Sequence, residues 1–347
     1  MKKGLTLEGL AKTLNHQKAT KRDFIVSPQR ITAYENNGEL EMAFGLKEQP
    51  ETDADYFQGK LTGTGHQQLG QFLGIPKTYY DIMLPHPELL VQNVQHWLSR
   101  SSDRRMIRAL DGRVRGVLSD SYRALDNYDL GTMAIETLLG LGATIDDGDC
   151  QITERKMYIK ALLRSVTGEV KKGDEVCAGI IIENSEIGYG SLAIKPLLLR
   201  KVCDNGMIIN ELASRKRHVG KKADEFAPIE LANDTKTADD KAFWLKVRDH
   251  IKHGISEVTF NGVLERMREA STKEVKNPQV AIELIAKSHG FTVDEKDNVF
   301  NHLLKGGDIT NWGFANAVTR MAQDVENYDR SVELEHIGWD VLNQNLN

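Results

Sequence analysis

Two stretches of the sequence gather the groups that can hold a phosphate. Residues 100–123 carry seven arginines, among them Arg104, Arg105, Arg108, Arg113, Arg115 and Arg123, against three aspartates, a net of +4. Residues 195–222 carry eight lysines and arginines, among them Lys195, Arg200, Lys201, Arg215, Lys216 and Arg217, against Asp204 and Glu211, a net of +6. The chain of 347 residues is −5 overall, so the remainder carries −15. Such asymmetry creates local positive fields on an otherwise acidic molecule. Lysine and arginine neutralise phosphates, which dominates affinity for nucleic acid. Tyr122 and Tyr189, beside these stretches, can stack on unpaired bases. The plainer reading is a solvated charged face with both tyrosines in ordinary packing. Two basic stretches in an acidic chain weigh toward nucleic acid.

Other chemistry has less support. Asp146, Asp147 or Asp149 followed by Glu154-Arg155-Lys156 is a short nuclease-like pattern, in which acids beside a Glu-x-Lys strand hold Mg²⁺. An acidic turn at a charged strand edge explains the same residues. His250 and His253 share one helix face, but no third ligand stands near them, so no metal site and no cofactor is expected. Gly188-Tyr189-Gly190-Ser191-Leu192-Ala193 fits G-x-G-x-x-A, yet a strand rather than a helix follows, so a dinucleotide site is rejected. Gly63-Thr64-Gly65 lacks the rest of a phosphate loop, and G-x-S-x-G and H-E-x-x-H are absent. Cys150, Cys177 and Cys203 are widely spaced with no C-x-x-C, which fits buried thiols in a reducing cytoplasm. No apolar run approaches a membrane span and no secretion signal is read.

The elements that must position these residues follow from pattern. Residues 1–62 are polar and weakly periodic, with short strands at Phe24–Val26 and Ile31–Tyr34. They read as an N-terminal arm, loosely attached or an adaptor to the main domain. Leu69, Phe72 and Leu73 mark a first helix, Tyr79-Tyr80 a second, and Leu90, Val94 and Leu98 a third. Asp111-Gly112 predicts a hairpin that sets Arg113 and Arg115 on one face, opposite Val114. A helix over Leu130–Leu141 has Met133, Leu138 and Leu139 as candidate core residues. Short Ala143–Ile145 and longer Lys156–Leu163 read as strands. Ile180-Ile181-Ile182 and Ser191–Val202 read as a long hairpin, with Asn205-Gly206 as the turn that stops it. Pro196 places the second of these strands at an edge or a bulge. Glu211–Thr237 reads as a mobile basic loop. Helical spacing then recurs at Lys241–Ile251, Val263–Ala270, Val280–His289, Asp297–Leu304 and Trp312–Val325.

Three strings carry a resemblance: Val117-Leu118-Ser119-Asp120-Ser121-Tyr122-Arg123-Ala124-Leu125-Asp126-Asn127, Asn184-Ser185-Glu186-Ile187-Gly188-Tyr189-Gly190-Ser191 and Arg200-Lys201-Val202-Cys203-Asp204-Asn205-Gly206-Met207. The sequence resembles domain of unknown function 932, a phage- and plasmid-borne family, from about Gly65 to Lys222. The likeness continues more weakly through Asn316-Ala317-Val318-Thr319-Arg320. The resemblance implies a bacterial mobile-element setting and no mechanism. At the level of topology alone, the helices and basic strands also resemble single-strand annealing proteins of recombination.

The expected fold is α+β: a mainly antiparallel sheet flanked by helices, with a helical C-terminal region. The expected division is an arm (1–62), an α+β core (63–222) and the helical region (223–347). The expected function is non-enzymatic binding of nucleic acid, single-stranded DNA first, by coating or annealing. A counter-defence protein that binds a host protein and a metal-dependent nuclease are the alternatives. A sheet edge leaves room for a homo-oligomeric ring or filament.

Overall fold

The computed structural model describes residues 2–47, 55–216 and 233–347. Helix α1 (Leu7–Thr20) opens the chain, followed by strands β1 (Arg22–Val26), β2 (Thr32–Asn36), β3 (Glu39–Gly45) and β4 (Tyr56–Lys60). Helices α2 (Gly63–Phe72), α3 (Lys77–Met83) and α4 (Pro87–Arg100) precede a hairpin, β5 (Arg105–Leu110) and β6 (Arg113–Ser119), and helix α5 (Asn127–Gly140). Strands β7 (Cys150–Ile152), β8 (Met157–Glu169), β9 (Glu175–Asn184), β10 (Leu192–Arg200), β11 (Asn205–Ile208) and β12 (Ser214–Lys216) form the main sheet. Helices α6 (Asn233–Gly254), α7 (Glu257–Ala270), α8 (Pro278–His289), α9 (Val293–Gly306), α10 (Asn311–Met321) and α11 (Tyr328–Asn343) complete an α+β fold.

The main sheet runs β11-β10-β9-β8-β7, antiparallel throughout, with β12 also on β10. Its central strands are continuous apolar runs because both faces are covered. Ile180 and Ile182 pack with α1, α5 and α6, while Ile181, Leu197 and Leu199 pack with Tyr328 and Val332 of α11. Residues of consecutive parity point to opposite faces, so a strand buried on both sides has no polar alternation to show. A second core joins α2, α3 and α4 to two three-stranded sheets, β1-β5-β6 and β2-β3-β4. Leu90, Val94 and Leu98 of α4 are buried there, on the predicted stripe. No helix among the described residues is long and apolar enough to cross a membrane.

Several expectations are corrected. The N-terminal stretch is not loosely attached: β1 pairs with β5 along its whole length, Arg22 opposite Ala109 to Val26 opposite Arg105, and Leu10 and Leu14 are buried against α5. Pro196 sits inside the sheet, opposite Ile180 of β9. The other flank of β10 changes partner there, from β12 at Leu192–Ile194 to β11 at Leu197–Arg200, so the missing N–H falls at the change. The stop after β10 is Lys201–Asp204, with Asp204 at φ 51°, and Asn205-Gly206 already belongs to β11. Ser214-Arg215-Lys216 is a strand rather than a loop. Thr144 makes only a bridge to Leu162, and Leu139 is exposed while Leu138 is buried. Gln49-Pro50-Glu51-Thr52-Asp53, whose composition predicts a loop, lies outside the described residues, as do Arg217, Lys221 and Lys222.

Candidate nucleic-acid interface

The first basic stretch divides into structural and exposed members. At Asp111-Gly112 both residues take positive φ, 51° and 73°, so the hairpin turns where the sequence predicts. Arg108 is fully buried: Nε and Nη2 donate to Asp23 at 2.8 Å each, Nη2 also to Asp126 at 2.8 Å, and Nη1 to the Glu186 carbonyl at 2.7 Å. Every donor direction that a phosphate would use is occupied. Arg115 is the extra residue of a β-bulge, since Arg108 faces Gly116 and Ala109 faces Val114. The bulge turns it inward, where it is 7% exposed and Nη2 lies 2.7 Å from Glu186 Oε2. Arg113 is exposed, so the two arginines line one cleft at different depths. Arg105 lies over the Phe72 ring, and Arg104 is exposed 3.7 Å from Asp120. Arg123 pairs with Asp239 and covers Phe243. Tyr122 donates to the Ser185 carbonyl at 3.1 Å, and burial pushes its hydroxyl up, so it is a packing residue rather than a free stacking surface.

The resemblance strings are joints in this arrangement. Asn184 donates to the Leu125 carbonyl and to Asn127 Oδ1, both at 2.8 Å. Glu186 Oε1 accepts from the Asn127 backbone at 2.7 Å. Ser185 Oγ donates to the Arg155 carbonyl at 2.8 Å and accepts from the Tyr189 backbone at 2.9 Å. Gly188 at φ 80° closes this turn against Leu118. In the third string Arg200 forks onto Asp174 at 2.6 and 2.9 Å, and Trp312 of α10 donates to the same carboxylate at 2.8 Å. Arg200 is therefore a structural clamp. Lys201 is exposed and paired with Glu175 at 2.6 Å.

The remaining candidates converge. Tyr189, Lys195 and Arg215 line one cleft of about 1,000 Å³ between the main sheet and the start of α11. Lys216 follows Arg215 on β12, beside Leu192. The turn Thr153-Glu154-Arg155-Lys156 forms a wall of this cleft and also of the smaller one lined by Arg113 and Arg115. Arg155 is exposed and lies 4.8 Å from the centre of the Tyr189 ring. Tyr189 is fixed in turn by donating to Gln67 at 2.8 Å, and burial raises its hydroxyl. Among the described residues Arg113, Arg155 and Arg215 form no ion pair within 4 Å.

The cleft floor is ionic. Lys195 Nζ lies 2.7 Å from Glu183 Oε1 and 3.0 Å from His336 Nε2, and His336 Nε2 lies 2.9 Å from the same Oε1. Lys156 Nζ is 3.9 Å from Glu183 Oε2. Burial alone would raise the Glu183 carboxyl, but His336 and Lys195 outweigh it and hold it well below the usual carboxylate range. Burial pulls Lys195 down despite Glu183. Sequence reading missed Arg155 and Lys156 as cations because the Glu-x-Lys pattern points to the acids. His336 has no sequence signal, since its partners lie 141 and 153 positions away.

The acids of the nuclease-like pattern have separate tasks. Glu154 accepts from Thr64 N–H at 2.9 Å and Thr64 Oγ1 at 2.7 Å at the start of α2. Burial would raise its carboxyl; these bonds lower it. Asp146 pairs with Arg164, and Asp149 is buried and pushed up to about 6 by burial. His250 Nδ1 contacts Ser214 Oγ at 2.9 Å. No group of three or more metal-ligating side chains occurs among the described residues.

Comparison with known proteins gives one relationship. No curated protein and no solved structure matches the chain. A family model matches residues 114–338, starting later than the sequence resemblance and continuing through the C-terminal helices to α11. It therefore takes in both resemblance joints and the whole ionic floor, from Glu183 to His336. The chain belongs to the family described as domain of unknown function (DUF932).

Proposed function

We propose that the protein binds single-stranded nucleic acid along the groove whose shared wall is Thr153–Lys156. The observation that carries this reading is the convergence of Arg113, Arg155, Lys156, Lys195 and Arg215 on two adjoining clefts, with Tyr189 in the larger. Arg113, Arg155 and Arg215, exposed and without an ion pair within 4 Å among the described residues, give the salt-sensitive attraction that backbone binding needs. The Arg155–Tyr189 pair offers a π-face to a base. A cleft of about 1,000 Å³ has room for roughly one or two nucleotides. DNA is the favoured strand, in a coating or annealing role. Arg108, Arg115 and Arg200 are assigned to the fold.

Fluorescence anisotropy with a labelled oligonucleotide tests the reading. Arg113→Ala, Arg155→Ala and Arg215→Ala each weaken single-strand binding irrespective of sequence, and each lowers the salt slope by about 0.7. Lys201→Ala, on an exposed pair away from the groove, leaves affinity unchanged. Equal effects from Lys201 and the groove residues would contradict the assignment. The double reversal of Arg113 and Arg115 is not a clean test, because Arg115→Glu places a second buried carboxylate beside Glu186.

A further inference from the structure

The two sides of the large cleft differ in charge. Arg155, Lys156, Lys195 and Arg215 come from the sheet side, while Glu326, just before α11, and Asp329, Arg330 and Glu333 of its first turns form the far wall. Asp329 accepts from Thr153 at 3.0 Å and from Tyr158 at 2.9 Å, and Glu333 pairs with Arg330 at 2.8 Å. A strand that enters past Arg113 and Arg155 meets cations as far as Lys195 and then a wall where Glu326, Asp329 and Glu333 outnumber Arg330. An internal phosphodiester has to continue beyond that point, and the next phosphates would face like charge. A strand end does not.

The floor also has an unmet demand for negative charge. His336 Nε2 either carries a proton, and donates to Glu183, or presents a lone pair, and accepts from Lys195. It cannot do both, so one of the contacts at 2.9 and 3.0 Å is unsatisfied in each state. His336 Nδ1 has no hydrogen-bond partner among the described residues and is buried. Glu183 is the one carboxylate among the described residues within hydrogen-bonding distance of Lys195 or His336, and Lys156 also lies 3.9 Å from it, so cationic groups outnumber it on the floor. An incoming anion relieves that excess, and a phosphomonoester brings more charge than a phosphodiester.

From this geometry we infer that the cleft receives a strand terminus bearing a phosphomonoester, held by Lys156, Lys195, Arg215 and His336. The inference rests on the strand-binding reading above and adds the terminal group as the ligand. A 5′-phosphate and a 3′-phosphate share the chemistry.

The test compares one single-stranded DNA sequence in four forms: 5′-phosphorylated, 3′-phosphorylated, hydroxyl at both ends, and covalently circular. One phosphorylated form binds about tenfold or more tightly than the hydroxyl form, the gain expected of charge-assisted hydrogen bonds to an added dianion. The circle binds no better than the hydroxyl form. Lys156→Ala and Arg215→Ala, both at solvent-accessible positions, remove the phosphate preference while leaving thermal unfolding unchanged. Whichever phosphorylated form is preferred identifies the end that enters. Equal binding of all four forms would overturn recognition of the end and leave strand binding standing. A preference retained in both variants would overturn its placement in this cleft. Binding of none would overturn both readings.

Discussion

A basic residue on a strand can bind a ligand or hold two sheets together, and partners decide which. Arg108 has lost all contact with water and is matched by Asp23, Asp126 and the Glu186 carbonyl. Removing it takes the donor from the buried Glu186 carbonyl and one partner each from the part-exposed Asp23 and Asp126, so Arg108→Ala costs about 1–3 kcal/mol in denaturant unfolding. Among variants that remain folded, it does not change the salt slope of binding. Asp149 shows the same accounting for an acid. Burial raises its carboxyl from 3.8 to about 6, so the folded chain keeps a proton that the unfolded chain has released. Stability therefore falls as pH rises across that window. Asp149→Asn keeps an acceptor for the Asp146 N–H, at 3.2 Å, and avoids the buried charge. It raises stability at neutral pH by up to roughly 3 kcal/mol and has little effect near pH 4, which thermal unfolding at the two pH values checks.

At the scale of elements, the C-terminal helices are tied to the sheet by ion pairs that are far apart in sequence. Lys160 of β8 and Glu335 of α11 are both within 1% of complete burial and lie 2.6 Å apart. Breaking such a pair costs more than replacing it. Glu335→Gln alone destabilises by about 3–5 kcal/mol, whereas Lys160→Met with Glu335→Leu recovers most of that loss. A double-mutant cycle measures the difference. The same distances explain what the sequence discloses. Periodicity over a few turns finds α2 to α4 and α7 to α10, and Asp111-Gly112 finds the β5–β6 turn. It misses α1, whose buried side is only Leu10 and Leu14, and it ends α10 four residues late. The strand alternation that puts Arg113 and Arg115 on one face fails in depth because a bulge intervenes, and a bulge is specified by the partner strand. The pairing of β1 with β5 joins residues 79 to 87 positions apart, so no local pattern reveals it.

At the scale of the molecule, charge in the sequence is a poor guide to the field at the surface. Of the first basic stretch, Arg108 and Arg115 are neutralised inside the joints, and of the second Arg200 is neutralised by Asp174. Tyr189, Lys195 and Arg215 do meet in one cleft, and Arg155 and Lys156, outside both stretches, complete it. The candidate site is thus legible as residue types and only half legible as positions. The central claim is that this groove tracks the phosphates of a single strand. Its most direct test is the affinity for a single-stranded oligonucleotide and its duplex across a salt series, for the parent chain and the Arg113→Ala, Arg155→Ala, Arg215→Ala triple variant. The account predicts preference for the single strand. It also predicts a log–log salt slope that becomes shallower in the variant by about 2, since each phosphate that is no longer neutralised removes about 0.7. No binding at low salt, or the same slope in parent and variant, would contradict it and direct attention to a protein partner.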